Sequence, residues 1–262
     1  FGTVAMTLPT ADGSANQVLK TDGSGNLGWT AAGGGGAIDG LSDAKLEGTD
    51  FTGSMILGHQ TTGTLDAAEK NTGVGIGSLD AITSGDRNTA IGNNSLTATT
   101  SGNKNVAIGN ESLSGNTSGE RNTAVGDKAM FLNETGVRNA AFGYVSGKSG
   151  SYNAAFGAYS LTAVTGNSNT AVGYYAGAGD GVNTAITTGA NNVIVGYQAG
   201  VDDAAAANRI VIGSGTDGLD DNTVTLGNGS ITNWLLTDTN GVFFFSSRRR
   251  HTRFALVSWA RG

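Results

Sequence analysis

The chain contains no cysteine, and this absence excludes several classes of protein. Without thiols there is no disulfide framework, no thiolate metal site and no cysteine nucleophile. Proline is nearly absent as well, since Pro9 is the single example among 262 residues, which argues against a proline-rich or mucin-like chain. No apolar run approaches the roughly 18 residues that a membrane helix requires, so we expect no membrane insertion.

Large apolar and charged side chains are also scarce. Aromatic residues make up 7% of the chain and charged residues 14%, whereas glycine accounts for 44 residues. A large apolar side chain contributes about 1.5–3 kcal/mol when buried, and ordering each residue costs about 1–2 kcal/mol. This composition therefore favours stabilisation by a dense backbone hydrogen-bond ladder and by contact between chains.

Charge is distributed unevenly along the chain. Residues 241–262 hold five arginines and no acidic residue, whereas the other 240 residues hold 10 basic and 21 acidic residues, a net charge of −11. An acidic body is a poor electrostatic partner for nucleic acid, so we expect no nucleic-acid partner.

An internal repeat is the dominant feature of the sequence. One unit reads Asn-Thr-Ala-Ile-Gly at residues 88–92, with Ser95 and Leu96 following, and most copies are 17 residues apart. A Ser/Thr-Gly pair precedes most copies in constant phase. The repeated asparagine and glycine positions are Asn88 and Gly92, Asn105 and Gly109, Asn122 and Gly126, Asn139 and Gly143, Asn153 and Gly157, Asn169 and Gly173, and Asn192 and Gly196.

Each unit has the pattern of one coil of a β-solenoid. The Ser/Thr-Gly pair predicts a turn with glycine at positive φ, and the Thr-Ala-Ile run predicts a short strand. A 17-residue unit has room for two short strands but not for a strand–helix–strand crossover. Stacking should align the asparagines as an amide ladder. It should also form one apolar ladder from Ile91, Ile108, Val125, Phe142, Phe156, Val172 and Val195, and a second from Leu79, Leu96, Leu113, Met130 and Leu161.

The fold class expected is all-β, a parallel β-roll or β-solenoid of short coils. In the leader, short strands are predicted at residues 18–21 and 27–29; farther on, a helical turn is predicted at 43–47 and a strand at 55–58. The predicted organisation is a leader with a glycine-rich hinge (1–36), a connecting segment (37–70), the repeat array (71–200), divergent terminal repeats (201–240) and a non-native tail (241–262).

No catalytic, cofactor or metal site is predicted. His59 stands alone, and the glycine-rich run at residues 73–77 lacks the Lys-Ser/Thr pair of a phosphate loop. The acidic pairs are interpreted as solvated turn residues rather than a cation site; they are Asp202 with Asp203 and Asp220 with Asp221. A row of tyrosines could bind glycan or protein, or could equally cover a subunit seam. These residues are Tyr144, Tyr159, Tyr174, Tyr175 and Tyr197.

The Asn-Thr-Ala-Val-Gly-x-x-Ala/Ser-Leu units resemble the head repeats of trimeric autotransporter adhesins. They are closer still to repeats in tail-fibre and other structural proteins of marine tailed phages, over about residues 71–236. The resemblance implies a left-handed parallel β-roll assembled as a homotrimer. The tail, with Phe243 and Arg248 to Arg250, resembles a translated sequencing-adapter string at the end of a metagenomic fragment.

These observations predict a non-enzymatic fibre module of a phage tail in the virion, acting as a rigid spacer with a host-attachment role. The alternative is the head of a bacterial trimeric adhesin at the cell surface. A solenoid carbohydrate-active enzyme is a remote third reading, because it needs paired carboxylates on a coil face, where this repeat has Asn, Thr, Ala and Gly. Self-association is the main partner expectation, with a host glycan or protein as the second.

Overall fold

The computed structural model describes residues 7, 9–15, 17–22, 24, 26–31, 44–46, 52–58, 66–179, 184–230, 234–238 and 241–245. Every regular element among these residues is a β-strand. The strands are β1 Gln17–Thr21, β2 Leu27–Ala31, β3 Ala44–Leu46, β4 Met55–Leu57, β5 Thr72–Val74, β6 Thr89–Ile91, β7 Val106–Ile108, β8 Thr123–Val125, β9 Ala140–Phe142, β10 Ala154–Phe156, β11 Thr170–Val172, β12 Val193–Val195, β13 Gly200–Val201, β14 Ile210–Ile212, β15 Asp217–Gly218, β16 Val224–Leu226, β17 Trp234–Asp238 and β18 Gly241–Phe245.

A parallel β-solenoid of about nine turns occupies the centre of the chain, as the repeat predicts. Eleven of its strands lie side by side in parallel, from β4 to β12 and then β14 and β16. The register follows the repeat, since Thr89 lies beside Val106 and Ile91 lies beside Ile108. The strand-forming residues of the repeat therefore stack one above another along the whole array.

Most coils contain one strand rather than the two that we predicted. The rest of each coil is a chain of turns in which non-glycine residues adopt positive φ, for example Asn94 at 53°, Leu96 at 50° and Lys104 at 59°. These left-handed residues bend the chain and interrupt any second extended segment. Among the described coils, a second strand is present only near the end of the array, where β13 pairs with β15.

The core of the solenoid is narrow. In the parallel strands from β4 to β12 and in β14 the central residue points inward and is buried, as Ala90 and Ala107 are. Ile91, beside Ala90, is 41% exposed, and in β16 the central Thr225 is half-buried. The first predicted apolar ladder is in register but lies on the outside, because a three-residue strand turns only one side chain inward. The second predicted ladder lies in the core. Its members are Leu79, Leu96, Leu113, Met130 and Leu161, each at most 2% exposed.

The flanking segments agree with the sequence in part. Strands β1 and β2 pair antiparallel, and β4 leads into the array, as predicted. The predicted helical turn at residues 43–47 is wrong, because Ala44–Leu46 form β3, whose backbone pairs antiparallel with β4. The first residues of the predicted tail form β18, which pairs with β17. The glycine-rich hinge at 33–36 and His59 lie outside the described residues.

Candidate functional site

A ladder of buried asparagine side chains links the coils. The side-chain nitrogen of Asn105 donates to Asn88 Oδ1 at 3.1 Å and to the Gly119 carbonyl at 2.8 Å, while its backbone N–H also donates to Asn88 Oδ1 at 3.0 Å. The ladder contains Asn71, Asn88, Asn105, Asn122, Asn139, Asn153, Asn169 and Asn192. This confirms the predicted amide ladder, whose bonds hold each coil in register with the next.

The anchoring glycines allow neighbouring coils to approach closely. Gly109 has a φ of 132°, and a Cβ placed on it would lie 2.4 Å from the carbonyl oxygen of Gly126. In the preceding Ser/Thr-Gly turns the expected positive φ is present at Gly150, at 81°, but not in most other copies. Gly102 is not at positive φ, and glycine is needed there because a Cβ would lie 2.6 Å from the Gly119 carbonyl oxygen. Close packing, rather than backbone conformation, explains that second glycine.

Arg209 ends the asparagine ladder, a role that we did not predict from the sequence. Its backbone N–H donates to Asn192 Oδ1 at 3.0 Å, so it occupies the next ladder position. Its side chain is 4% exposed and forms ion pairs with Asp202 and Asp221. We predicted that these two acids are solvated turn residues, but each of them is paired with Arg209. The signal that could have identified Arg209 is its in-phase position immediately before the last Ile-Val-Ile-Gly unit.

Hydrogen bonding sets the charge state of this end of the ladder. The backbone N–H of Ala207 donates to Asp221, and together with the Arg209 guanidinium it holds the pKa of Asp221 below its ordinary value. Burial opposes the charge on Arg209, but hydrogen bonds to Asp202 and Asp221 raise the pKa of Arg209 overall. A buried arginine with two carboxylate partners can replace an asparagine because its charge is matched.

An apolar row runs along the outside of the solenoid at the last position of the parallel strands. Eight of its ten members are between 37% and 42% exposed. The row comprises Val74, Ile91, Ile108, Val125, Phe142, Phe156, Val172, Val195, Ile212 and Leu226. Phe142 and Phe156 stack with their ring centres 5.1 Å apart. Long exposed apolar surfaces are a typical feature of interaction sites in proteins.

The five predicted tyrosines are brought together into one cluster, which we call the tyrosine patch. Ring contacts join Tyr144 to Tyr159, and Tyr159 to both Tyr174 and Tyr175. Tyr197 stacks on Tyr174, with ring centres 5.5 Å apart and planes 14° from parallel. Partial removal from water by the neighbouring rings, and the interaction with Tyr144, raise the pKa of Tyr159. The patch therefore offers uncharged aromatic faces with hydroxyl groups.

The described residues contain no group of three or more acidic or histidine side chains placed to hold a metal ion. Within the same part of the chain, no helix is long and apolar enough to cross a membrane. Comparisons of the chain with protein-family models, with curated proteins and with solved structures found no match.

Proposed function

We propose that this chain is a structural fibre module of a tailed-phage tail fibre or related virion protein, without catalytic activity. Its role is that of a rigid spacer that can carry an attachment surface. Eleven parallel strands spaced about 4.8 Å apart give the stack a length of roughly 48 Å. Because each coil is bonded to its neighbours by a buried ladder, the array suits the transmission of force and the maintenance of distance.

Self-association as a homotrimer is part of this proposal, and the apolar row is the observation that carries it. The row is continuous over ten strands, and eight of its ten members are exposed to a similar degree. A partner with the same periodicity matches such a surface best, and another copy of this chain has that periodicity. Burying the row would also add apolar contact to that of the narrow core.

The test is the absolute mass of the full chain by light scattering, together with its circular dichroism. We expect a β-rich assembly of three times the chain mass of 26.2 kDa. Replacing two row residues, Ile108→Asp with Phe142→Asp, should lower the mass without loss of β-structure. Ser101→Asp, an exposed change in a turn before a ladder asparagine, is the matched control and should leave the mass unchanged. A β-rich protein of single-chain mass at micromolar concentration would contradict the assembly.

A further inference from the structure

The tyrosine patch covers a small part of the array rather than its whole length. Its members belong to four successive coils, which span roughly 14 Å at about 4.8 Å per step. The first residue after the anchoring glycine is Tyr144, Tyr174 or Tyr197 in three of these coils. In three earlier coils the same position holds Asn93, Asn110 and Asp127. Because those coils fold with polar residues at this place, tyrosine is not required to form the turn.

The sequence segment that carries the tyrosine patch holds few charges, and the coil before it places an acid, Asp127, at the position next to Tyr144. Residues 139–200 contain two charged residues, Lys148 and Asp180, whereas residues 71–138 contain eleven. Outside the final 22 residues the chain is acidic overall. A negatively charged ligand would therefore be repelled by the body and would find no cluster of cations in this sequence segment. A ligand suited to this surface is uncharged.

We propose that the tyrosine patch binds a neutral oligosaccharide. The C–H faces of sugar rings pack against aromatic rings, while tyrosine hydroxyls exchange hydrogen bonds with sugar hydroxyls. Tyr144, Tyr174 and Tyr197 expose between 43% and 53% of their surface, so their faces and hydroxyls are accessible. The length of the patch matches a short oligosaccharide segment. This inference rests on the proposed function, since it supplies the attachment surface of the fibre.

A second copy of this chain fits the tyrosine patch less well than a sugar does. A seam between copies follows the repeat, as the apolar row does over ten strands. The tyrosine patch is instead confined to the coils between Tyr144 and Tyr197, and it is absent where the coils are most regular. A local, non-repeating surface corresponds to a local ligand.

The experiment titrates the full chain with cellohexaose, chitohexaose and maltohexaose, and with hexagalacturonate as the anionic counterpart, by calorimetry and saturation-transfer NMR. We expect at least one neutral sugar to bind, with weaker or no binding of the anionic one. Changing Tyr174→Ala and Tyr197→Ala together should weaken that binding by about tenfold or more. Tyr152→Ala is the matched control, because Tyr152 is 53% exposed but makes its cation–π contact with Arg138 outside the patch.

The outcomes separate this inference from the proposed function. No binding of any neutral sugar, or equal binding by the Tyr174/Tyr197 variant, overturns the inference while a trimeric mass still supports the fibre. A fall in mass in that variant would mean that a second copy covers the patch, which also overturns the inference. Binding by a single-chain species would support the sugar site but contradict the assembly. Release of shorter sugars would contradict the non-catalytic role.

Discussion

The two halves of the repeat array share an interior but differ in surface. Residues 71–138 and residues 139–200 are threaded by the same asparagine ladder, and the central strand position is buried in both. Their surfaces diverge, with eleven charged residues in the first half against two in the second. Bonds between coils therefore determine the stack, and the outward turns are free to acquire other chemistry.

The halves also differ in how the core is filled. Leu96, Leu113 and Met130 occupy one buried column in the first half. In the second half that column contains Gly147 and Gly177 at positive φ, and Leu161 lies between them. A Cβ on Gly177 would lie 2.8 Å from Leu161, so glycine makes room for larger neighbours there. Irregular coil lengths accompany this change in packing.

The largest loss of folding stability should come from substitutions that prevent neighbouring coils from approaching closely. Gly109→Ala in the first half and Gly157→Ala in the second would each place a Cβ at most 2.5 Å from the next coil's carbonyl oxygen. We expect each to lower the free energy of unfolding by about 4–5 kcal/mol, because the backbone cannot move away without breaking the ladder. Urea denaturation followed by circular dichroism measures this change.

The matched control for both glycine variants is Gly229→Ala. A Cβ at Gly229 meets no atom of the described residues within 4 Å, and the free energy of unfolding of this variant should stay within about 0.5 kcal/mol of that of the parent. Equal tolerance of alanine at Gly109 and Gly229 would show that neighbouring coils do not approach as described.

Removing a ladder amide should lower the free energy of unfolding by nearly the same amount in both halves. Asn105→Ala and Asn169→Ala each delete bonds to a preceding asparagine and to a glycine carbonyl, and they leave the next coil's backbone N–H without its acceptor. We expect a loss of about 3 kcal/mol in each case. Asn93→Ala, at an exposed turn, is the control. A large difference between the two ladder variants would contradict a shared interior.

A smaller effect concerns the left-handed turn residue before each ladder asparagine. Lys104 in the first half has a φ of 59° and Ser168 in the second a φ of 60°. Glycine adopts this conformation without steric cost, so each glycine variant should be about 1 kcal/mol more stable than the alanine variant at the same site. Thermal unfolding of the four variants tests this. Greater stability of both alanine variants would indicate a different turn conformation.

The smallest change in stability is expected where Arg209 and Asp221 end the ladder. The pKa of Asp221 is lowered in the folded chain, so its stabilising contribution is fully present above the unfolded pKa and is lost as pH falls through the folded value, below about pH 4. Asp221→Asn should remove part of this acid dependence. The measurement compares the unfolding midpoint between pH 7 and pH 3. If the midpoint falls by the same amount between pH 7 and pH 3 in the variant and in the parent, the role of the ion pair is contradicted.

The sequence predicted the stack and its register well, for a physical reason. Bonds between coils need the same residue at the same phase, so Asn88 and Asn105 reveal their contact by their spacing. The buried face was harder to predict, because Ala90 and Ile91 alternate in a three-residue strand and the tight turns decide which one points inward. Arg209 was missed because a single departure from the repeat resembles divergence.

The same reasoning applies to the candidate sites. The spacing of the tyrosines after the anchoring glycines predicts that they lie in one row, and the ring contacts confirm that they are close together. The apolar row could be located from its spacing, but hydrophobicity alone does not tell whether such a row faces the core or the solvent. The helical turn expected at residues 43–47 was wrong because a local pattern carries no information about pairing with β4.

The central claim is that coils 17 residues apart lie side by side in parallel register. The chain has no cysteine, so pairs of introduced thiols can be tested with a short bifunctional thiol reagent that spans about one coil spacing. Thr89→Cys with Val106→Cys places the thiols on adjacent strands about 4.8 Å apart, whereas Thr89→Cys with Thr123→Cys places them two coils, about 9.6 Å, apart. The account predicts cross-linking within one chain for the first pair and not for the second. Equal cross-linking of both pairs, or of the second pair alone, would contradict the solenoid register.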